Sequence, residues 1–281
     1  MFERADAHMH CFNPGFVELL PDSCRRTAPD ELTLYTALAK RAGIVKSLVV
    51  GFEGMPAHHG NNDYLQKTLK DHPSMRATAF VSRPQDLTVE QLETWRRQQF
   101  VGISFYVLDA AMEGAVRSVS SQCWEWIAQH RWLVSVNSHG ELWNVWASIL
   151  DRFPGVRLLV SHLGSPPAQK KAPAMSDARD LMAHTTALSR YPNVFVKFSG
   201  LYAMTDPNYA YPHEAAWPFV DVALQAFGEK RLLWASDFSP VLEYVSFDQT
   251  WAVLDQIPFI NNDQRRLIAG ANLLKLLAEI L

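Results

Sequence analysis

At 281 residues, with 26 Lys and Arg against 29 Asp and Glu, the chain has a formal net charge of −3. That balance excludes the basic excess that holds nucleic acid or an anionic membrane surface. Hydrophobic residues at 48% and charged residues at 20% suit a packed globular core, and no uninterrupted apolar run approaches the ~20 residues of a membrane-spanning helix.

In chain order, short apolar, β-branched runs alternate with helical patterns. The N-terminus carries Glu3, Arg4 and Asp6 where a signal peptide would be apolar, which argues against one. The first run, residues 5–10, contains Asp6-Ala7-His8-Met9-His10. A helix opens at Pro29-Asp30 and stops at Gly43. The second run, 47–52, leads into a Gly-containing loop with His58 and His59. After the third, 77–82, Thr88 and Gln91 form a capping-box pattern ahead of Leu92 and Trp95. The fourth, 101–106, precedes a helix capped by Ser120 or Ser121. The fifth, 133–139, precedes a helix from Glu141 to Phe153 that stops at Pro154-Gly155. The sixth, 157–162, enters a proline-rich loop, 163–176, expected over the active face; a helical segment capped by Ser176 then runs to Arg190. The seventh, 194–200, is followed by a loop with Tyr202, Tyr209, Tyr211 and His213, and by a helix, 213–227, ending at Gly228. The eighth, 232–238, is followed by helices over about 247–257 and 263–281.

Strand starts recur at roughly 25–40 residue intervals, the length of a βα unit. Eight such units predict a (β/α)₈ TIM barrel in a single domain spanning 1–281. No Gly-x-Gly-x-x-Gly follows any run, which argues against a dinucleotide-binding sheet. Cys11, Cys24 and Cys123 form no Cys-x-x-Cys pair. They suit free thiols in a cytoplasmic protein. Nine tryptophans leave room for a homo-oligomer interface without locating one.

Alternation across a strand then assigns faces. Val134 and Val136 oppose Leu133, Ser135, Asn137 and His139. Val194, Val196 and Phe198 oppose Phe195, Lys197 and Ser199. Trp234 and Phe238 oppose Leu233, Ala235 and Asp237. In the sixth run Leu158, Val160 and His162 align, and in the first Asp6, His8 and His10 align against Ala5, Ala7 and Met9. Polar groups therefore fall late in their strands, where catalytic groups of a barrel sit. His8, His10, His139, His162, Lys197 and Asp237 are expected at one mouth.

A lone His-x-His is weak evidence; the full set is stronger, because unpaired buried charges are costly. His8 and His10 with Asp237 from the adjoining last strand suit Zn²⁺ or a similar divalent ion with an open position for water, and His139 is a candidate extra ligand. Asp237 can take a proton from water, and His162 can act in acid–base chemistry or orient a carbonyl. Trp143 and Trp146, at helical spacing, read as core.

Asp6-Ala7-His8-Met9-His10, Ser161-His162-Leu163-Gly164 after Phe153-Pro154-Gly155, Lys197-Phe198-Ser199-Gly200-Leu201, Ala235-Ser236-Asp237-Phe238 and Gly270-Ala271-Asn272 together resemble the amidohydrolase-related family of the amidohydrolase superfamily. The likeness spans nearly the whole chain. It falls in the branch that includes L-fuconolactonase and 2-pyrone-4,6-dicarboxylate lactonase. It implies a TIM barrel that hydrolyses a small cyclic ester, with His8, His10, His162 and Asp237 as site residues. It implies either one divalent metal ion or metal-independent catalysis. A metal-dependent decarboxylase of the same superfamily is the alternative. Lys197, Tyr106, Ser104 and Tyr202 are the expected substrate contacts. Ser104 and Tyr106 stand where the family often has a basic residue, which speaks against a dicarboxylate substrate.

Overall fold

A computed structural model describes residues 2–12 and 30–281; Cys24 and Pro29, named above, lie outside the described residues. All eight expected runs form strands: β1 Arg4–Met9, β2 Ile44–Val50, β3 Met75–Phe80, β4 Gly102–Val107, β5 Leu133–Ser138, β6 Arg157–Val160, β7 Val194–Phe198 and β8 Leu232–Trp234. They pair in sequence order, all parallel. The two ends meet. Met9 bridges Phe238, the Asp237 N–H donates to the His8 carbonyl at 2.8 Å, and the His10 N–H donates to the Phe238 carbonyl at 2.5 Å. The sheet is thus a nearly closed (β/α)₈ barrel.

Alternation sorts the apolar residues into two layers. Ile103, Phe105, Val134, Val136, Leu158, Val160, Val194, Val196 and Trp234 pack outward, with Trp124 and Trp146 of the covering helices. Ala5, Ala7, Leu48, Leu133, Leu159, Leu233 and Ala235 fill the interior with Leu273 and Leu276 of the helix Asn272–Ala278. That helix lies against the strand starts, since Arg157, the first residue of β6, donates to Glu279 at 2.5 Å and to the Leu276 carbonyl at 3.5 Å. The opposite end of the barrel is left for chemistry. Gly270 lets the last helices approach β1; a Cβ there would lie 2.5 Å from the Glu3 carbonyl oxygen.

The helix signals hold where a cap or a stop is explicit. Asp30 caps Glu31–Ala42 through the Thr33 N–H, and Gly43 ends it at φ 70°. Thr88 accepts from the Gln91 N–H, and Ser120 from the Cys123 N–H. They fail where local geometry breaks a pattern. Ser176 is not a cap: the helix starts at Met175 after Ala174, and the segment splits into Met175–Leu181, Ala183–Thr186 and a 3₁₀ turn, Ala187–Arg190. The last expected helix is interrupted by a π turn over Leu267–Ala271. Two short helices, Asn61–Thr68 and Ala110–Arg117, are additional to those expected. Among the described residues no helix is long and apolar enough to cross a membrane.

Candidate active site

Asp6, His8 and His10 do not share one face. Asp6 pairs with Ser47 and Met9 with Val49, so three steps along β1 match two along β2. The extra residue inverts the alternation. Asp6 consequently faces the outer layer, where it accepts from Tyr35 Oη at 2.9 Å and from the Ser236 N–H and Oγ at 2.9 and 2.5 Å. Burial pushes its carboxyl up to about 6 against these bonds. It is a fastener between β1, the following helix and the end of β8. His8 and His10 join Ala5 and Ala7 on the interior side, with their Nε2 atoms 3.0 Å apart.

His162 also arrives by a route other than alternation. Leu158 and Val160 belong to the outer layer. β6 ends at Val160, Ser161 turns inward to His8 Nδ1 at 3.3 Å, and His162 follows at φ 52°, with Leu163 at 53°. That left-handed turn brings the imidazole to the mouth. Gly200, at φ 71°, leaves it space; a Cβ there would sit 2.8 Å from His162 Nδ1. Asp237 lies beyond β8 at φ 60°. Three residues in strained or bulged backbone thus meet at one place.

Distances define the centre. Asp237 Oδ1 lies 3.7 Å from His8 Nε2 and 3.9 Å from His10 Nε2, and Oδ2 lies 4.0 Å from His162 Nδ1. Tyr202 Oη donates to Asp237 Oδ2 at 2.6 Å, and its ring stacks on Tyr244 at 4.7 Å. His10 Nδ1 faces the Val50 carbonyl at 2.8 Å. A carbonyl only accepts, so Nδ1 carries the proton and Nε2 keeps its lone pair. His8 Nδ1 accepts from Lys197 Nζ at 3.0 Å. Its Nε2–H therefore points at His10. His162 Nδ1 pairs with Ser199 Oγ at 2.9 Å.

Burial governs the charges. It lowers His10 to about 4 and His162 to about 3, and it places His8 well below the usual imidazole value, with Lys197 and the other histidines adding to the effect. Burial likewise lowers Lys197 to about 7. It raises Asp237, against the pull of His10, Tyr202 and Lys197. At neutral pH the imidazoles are neutral; His8 would present its Nε2 lone pair to an ion once its proton moved to Nδ1, where Lys197 in its neutral form can accept it. His8, His162 and Asp237 form a possible metal site, their ligand atoms all within 4.8 Å of one another. Two neutral imidazoles and a carboxylate are the donor set of a catalytic zinc with an open position, so the residues fit such an ion.

Two expected groups are not brought into contact with the mouth, and a third is only beneath it. His139 is exposed beyond the end of β5, where the backbone leaves the barrel for a 3₁₀ turn. Ser104 is fully buried and donates to the Gly51 carbonyl at 2.7 Å. Lys197 is fully buried below His8, with Nζ donating to Ser135 Oγ at 2.6 Å; it contacts His8 Nδ1 and is not among the residues that line the cavity. Tyr106, Tyr202 and His58 line the cavity above the centre, which has a volume of about 490 Å³. His59, Tyr209 and Tyr211 are not among its walls. The loop 163–176 pairs through Gln169 with Thr205, beside the segment that carries Tyr202. Ser161, Glu243 and Tyr244 escape the sequence reading. Alternation from Leu159 would have found Ser161; the other two lie in a segment without strand pattern.

Architecture and centre together define a TIM barrel with an imidazole–carboxylate site at its mouth. The family model for amidohydrolases matches residues 5–278. The chain belongs to the amidohydrolase family and is an enzyme of that superfamily. No curated protein matches the sequence. Among solved structures, a zinc-bound amidohydrolase from Burkholderia multivorans is similar over 98% of this chain and 99% of its own, at 17% identity and a TM-score of 0.78. A Pseudomonas putida protein provisionally named a 2-pyrone-4,6-dicarboxylic acid hydrolase is similar over 100% and 99%, at 22% and 0.75. A 5-carboxyvanillate decarboxylase from Sphingomonas paucimobilis is similar over the full length of both chains, at 12% and 0.63. At these identities the likeness concerns the fold.

Proposed function

We propose that this enzyme is a hydrolase that opens a small cyclic ester, with Asp237 as the base and the chain 1–281 working as one domain. The observation that carries this reading is the state of Asp237: one oxygen is held by Tyr202, and the carboxylate lines the cavity floor within 4.0 Å of three neutral imidazoles. Burial makes it a stronger base than an ordinary carboxylate. In this scheme Asp237 takes a proton from water as the oxygen adds to the ester carbonyl. Collapse breaks the ring C–O bond, and Asp237 returns the proton to the departing alkoxide, giving a hydroxy acid. Tyr202 fixes the carboxylate in line, and Ser199 fixes the His162 ring beside it.

A divalent ion held by His8, His162 and Asp237 would polarise the carbonyl and acidify water. Lys197 and Ser161 hold the His8 ring from behind, and Val50 holds His10. The test is a pH-indicator screen against a panel of lactones, with and without added zinc. Acid release by the native protein, absent with Asp237→Asn, is the expected result. Failure across the panel, alongside turnover of an aromatic acid with loss of CO₂, would favour the decarboxylase alternative.

A further inference from the structure

We infer that the substrate is an uncharged cyclic ester with a flat apolar flank, as opposed to a carboxylated or polyhydroxylated lactone; the ester part of this statement rests on the hydrolase reading above. The walls of the cavity are segregated by strand. Phe12 follows β1, Phe52 follows β2 and Tyr106 lies on β4. Their rings and that of His58 form a continuous surface, with centroids 4.0 Å apart for Phe12 and His58 and 4.5 Å for Phe52 and Tyr106. Met55 extends this wall to the rim and is 56% exposed. A planar ring laid on such a wall gains offset or edge contacts along its length.

The charged groups point the same way. Among the described residues neither lysine nor arginine lines the cavity, whereas Asp237 and Glu243 both do. Lys197, a cation beneath the centre, has its Nζ engaged by His8 and Ser135 with no exposed surface. A substrate carboxylate would thus be stripped of water and set beside two acids with no cationic partner among the described residues. Even a cation at His8, His162 and Asp237 would lie at the floor, leaving a carboxylate elsewhere on the ring against apolar walls. A polyhydroxylated ring would leave several hydroxyls facing Phe12, Phe52 and Met55 without acceptors.

Three probes separate the classes: 3,4-dihydrocoumarin, 2-pyrone-4,6-dicarboxylate and glucono-1,5-lactone. For the native enzyme kcat/KM for dihydrocoumarin should exceed both others by about a hundredfold. Phe52→Ala should raise KM for dihydrocoumarin about tenfold and leave that for γ-butyrolactone nearly unchanged, with Phe52→Leu intermediate. Equal or faster turnover of the dicarboxylate or the sugar lactone would overturn the inference. Binding by calorimetry to Asp237→Asn separates it from the hydrolase reading. Chroman, which has the bicyclic ring but no ester, should bind at least about tenfold more tightly than isophthalate. If no lactone is hydrolysed but chroman is preferred, the reaction is wrong and the ligand class stands. If isophthalate binds as well or better, or neither binds, the ligand class is wrong.

Discussion

The β4–β5 ladder and the β8–β1 seam differ in regularity. β4 and β5 pair without a shift from Gly102–Leu133 through Val107–Ser138. Phe105 and Val136 go to the outer layer and Ser135 to the interior, as alternation requires. At the seam β8 stops after three residues, β1 bulges, and a bridge between Met9 and Phe238 joins the ends. There the residues that leave the ladder are the ones that meet: His8 past the bulge, Asp237 in a left-handed conformation. Regular pairing delivers side chains to the core. Its local failure frees backbone direction, so that an acid and an imidazole can face each other across the closure.

Substitutions can break or sharpen this contrast. The largest effect is expected at the seam. Asp237→Asn should lower kcat by about 10²–10⁴ with an unchanged thermal midpoint, measured by acid release and circular dichroism. On the regular side Phe105→Ala should do the opposite. It should cost about 3–5 kcal/mol in urea unfolding and leave kcat per folded molecule intact, because Phe105 is fully buried away from the cavity.

A smaller effect concerns metal. His162→Ala should lower retained zinc by about tenfold or more, whereas His139→Ala should leave it unchanged; elemental analysis of protein purified without chelator reads both. The smallest is Tyr202→Phe. Loss of the 2.6 Å bond should lower kcat about tenfold. Its sign in pH is fixed. Tyr202 stabilises the charged carboxylate and so lowers the Asp237 pKa, while burial raises it. Removing the hydroxyl moves the acid limb of kcat/KM to higher pH. A limb that moved down, or stayed, would show that Tyr202 does not bond Asp237 in the working enzyme.

What the sequence discloses follows the same division. All eight strands and the inward faces of β5, β7 and β8 are readable, because a two-residue period needs only regular backbone. Strand ends are less so: the apolar run continues to Phe238, but the β8 ladder stops at Trp234 as the chain turns toward Asp237. His8, His10, His162 and Asp237 are recognised as a group, but two of the reasons fail. A bulge invisible in Ala7-His8 turns Asp6 outward, and positive φ at His162, not alternation from Val160, aims the ring. His139 fits the alternation of β5 and still lies at the surface, since the strand has ended. Alternation gives the face of Lys197, but its depth below His8 depends on neighbouring strands and has no signature along the chain.

The most direct measurement is isotopic. Dihydrocoumarin turned over by the zinc-loaded enzyme in H₂¹⁸O should yield a hydroxy acid with one ¹⁸O in its carboxylate, above the uncatalysed rate, with no CO₂ released. CO₂ release from an aromatic acid, with no lactone turnover and no oxygen from water in the product, would contradict water attack assisted by Asp237.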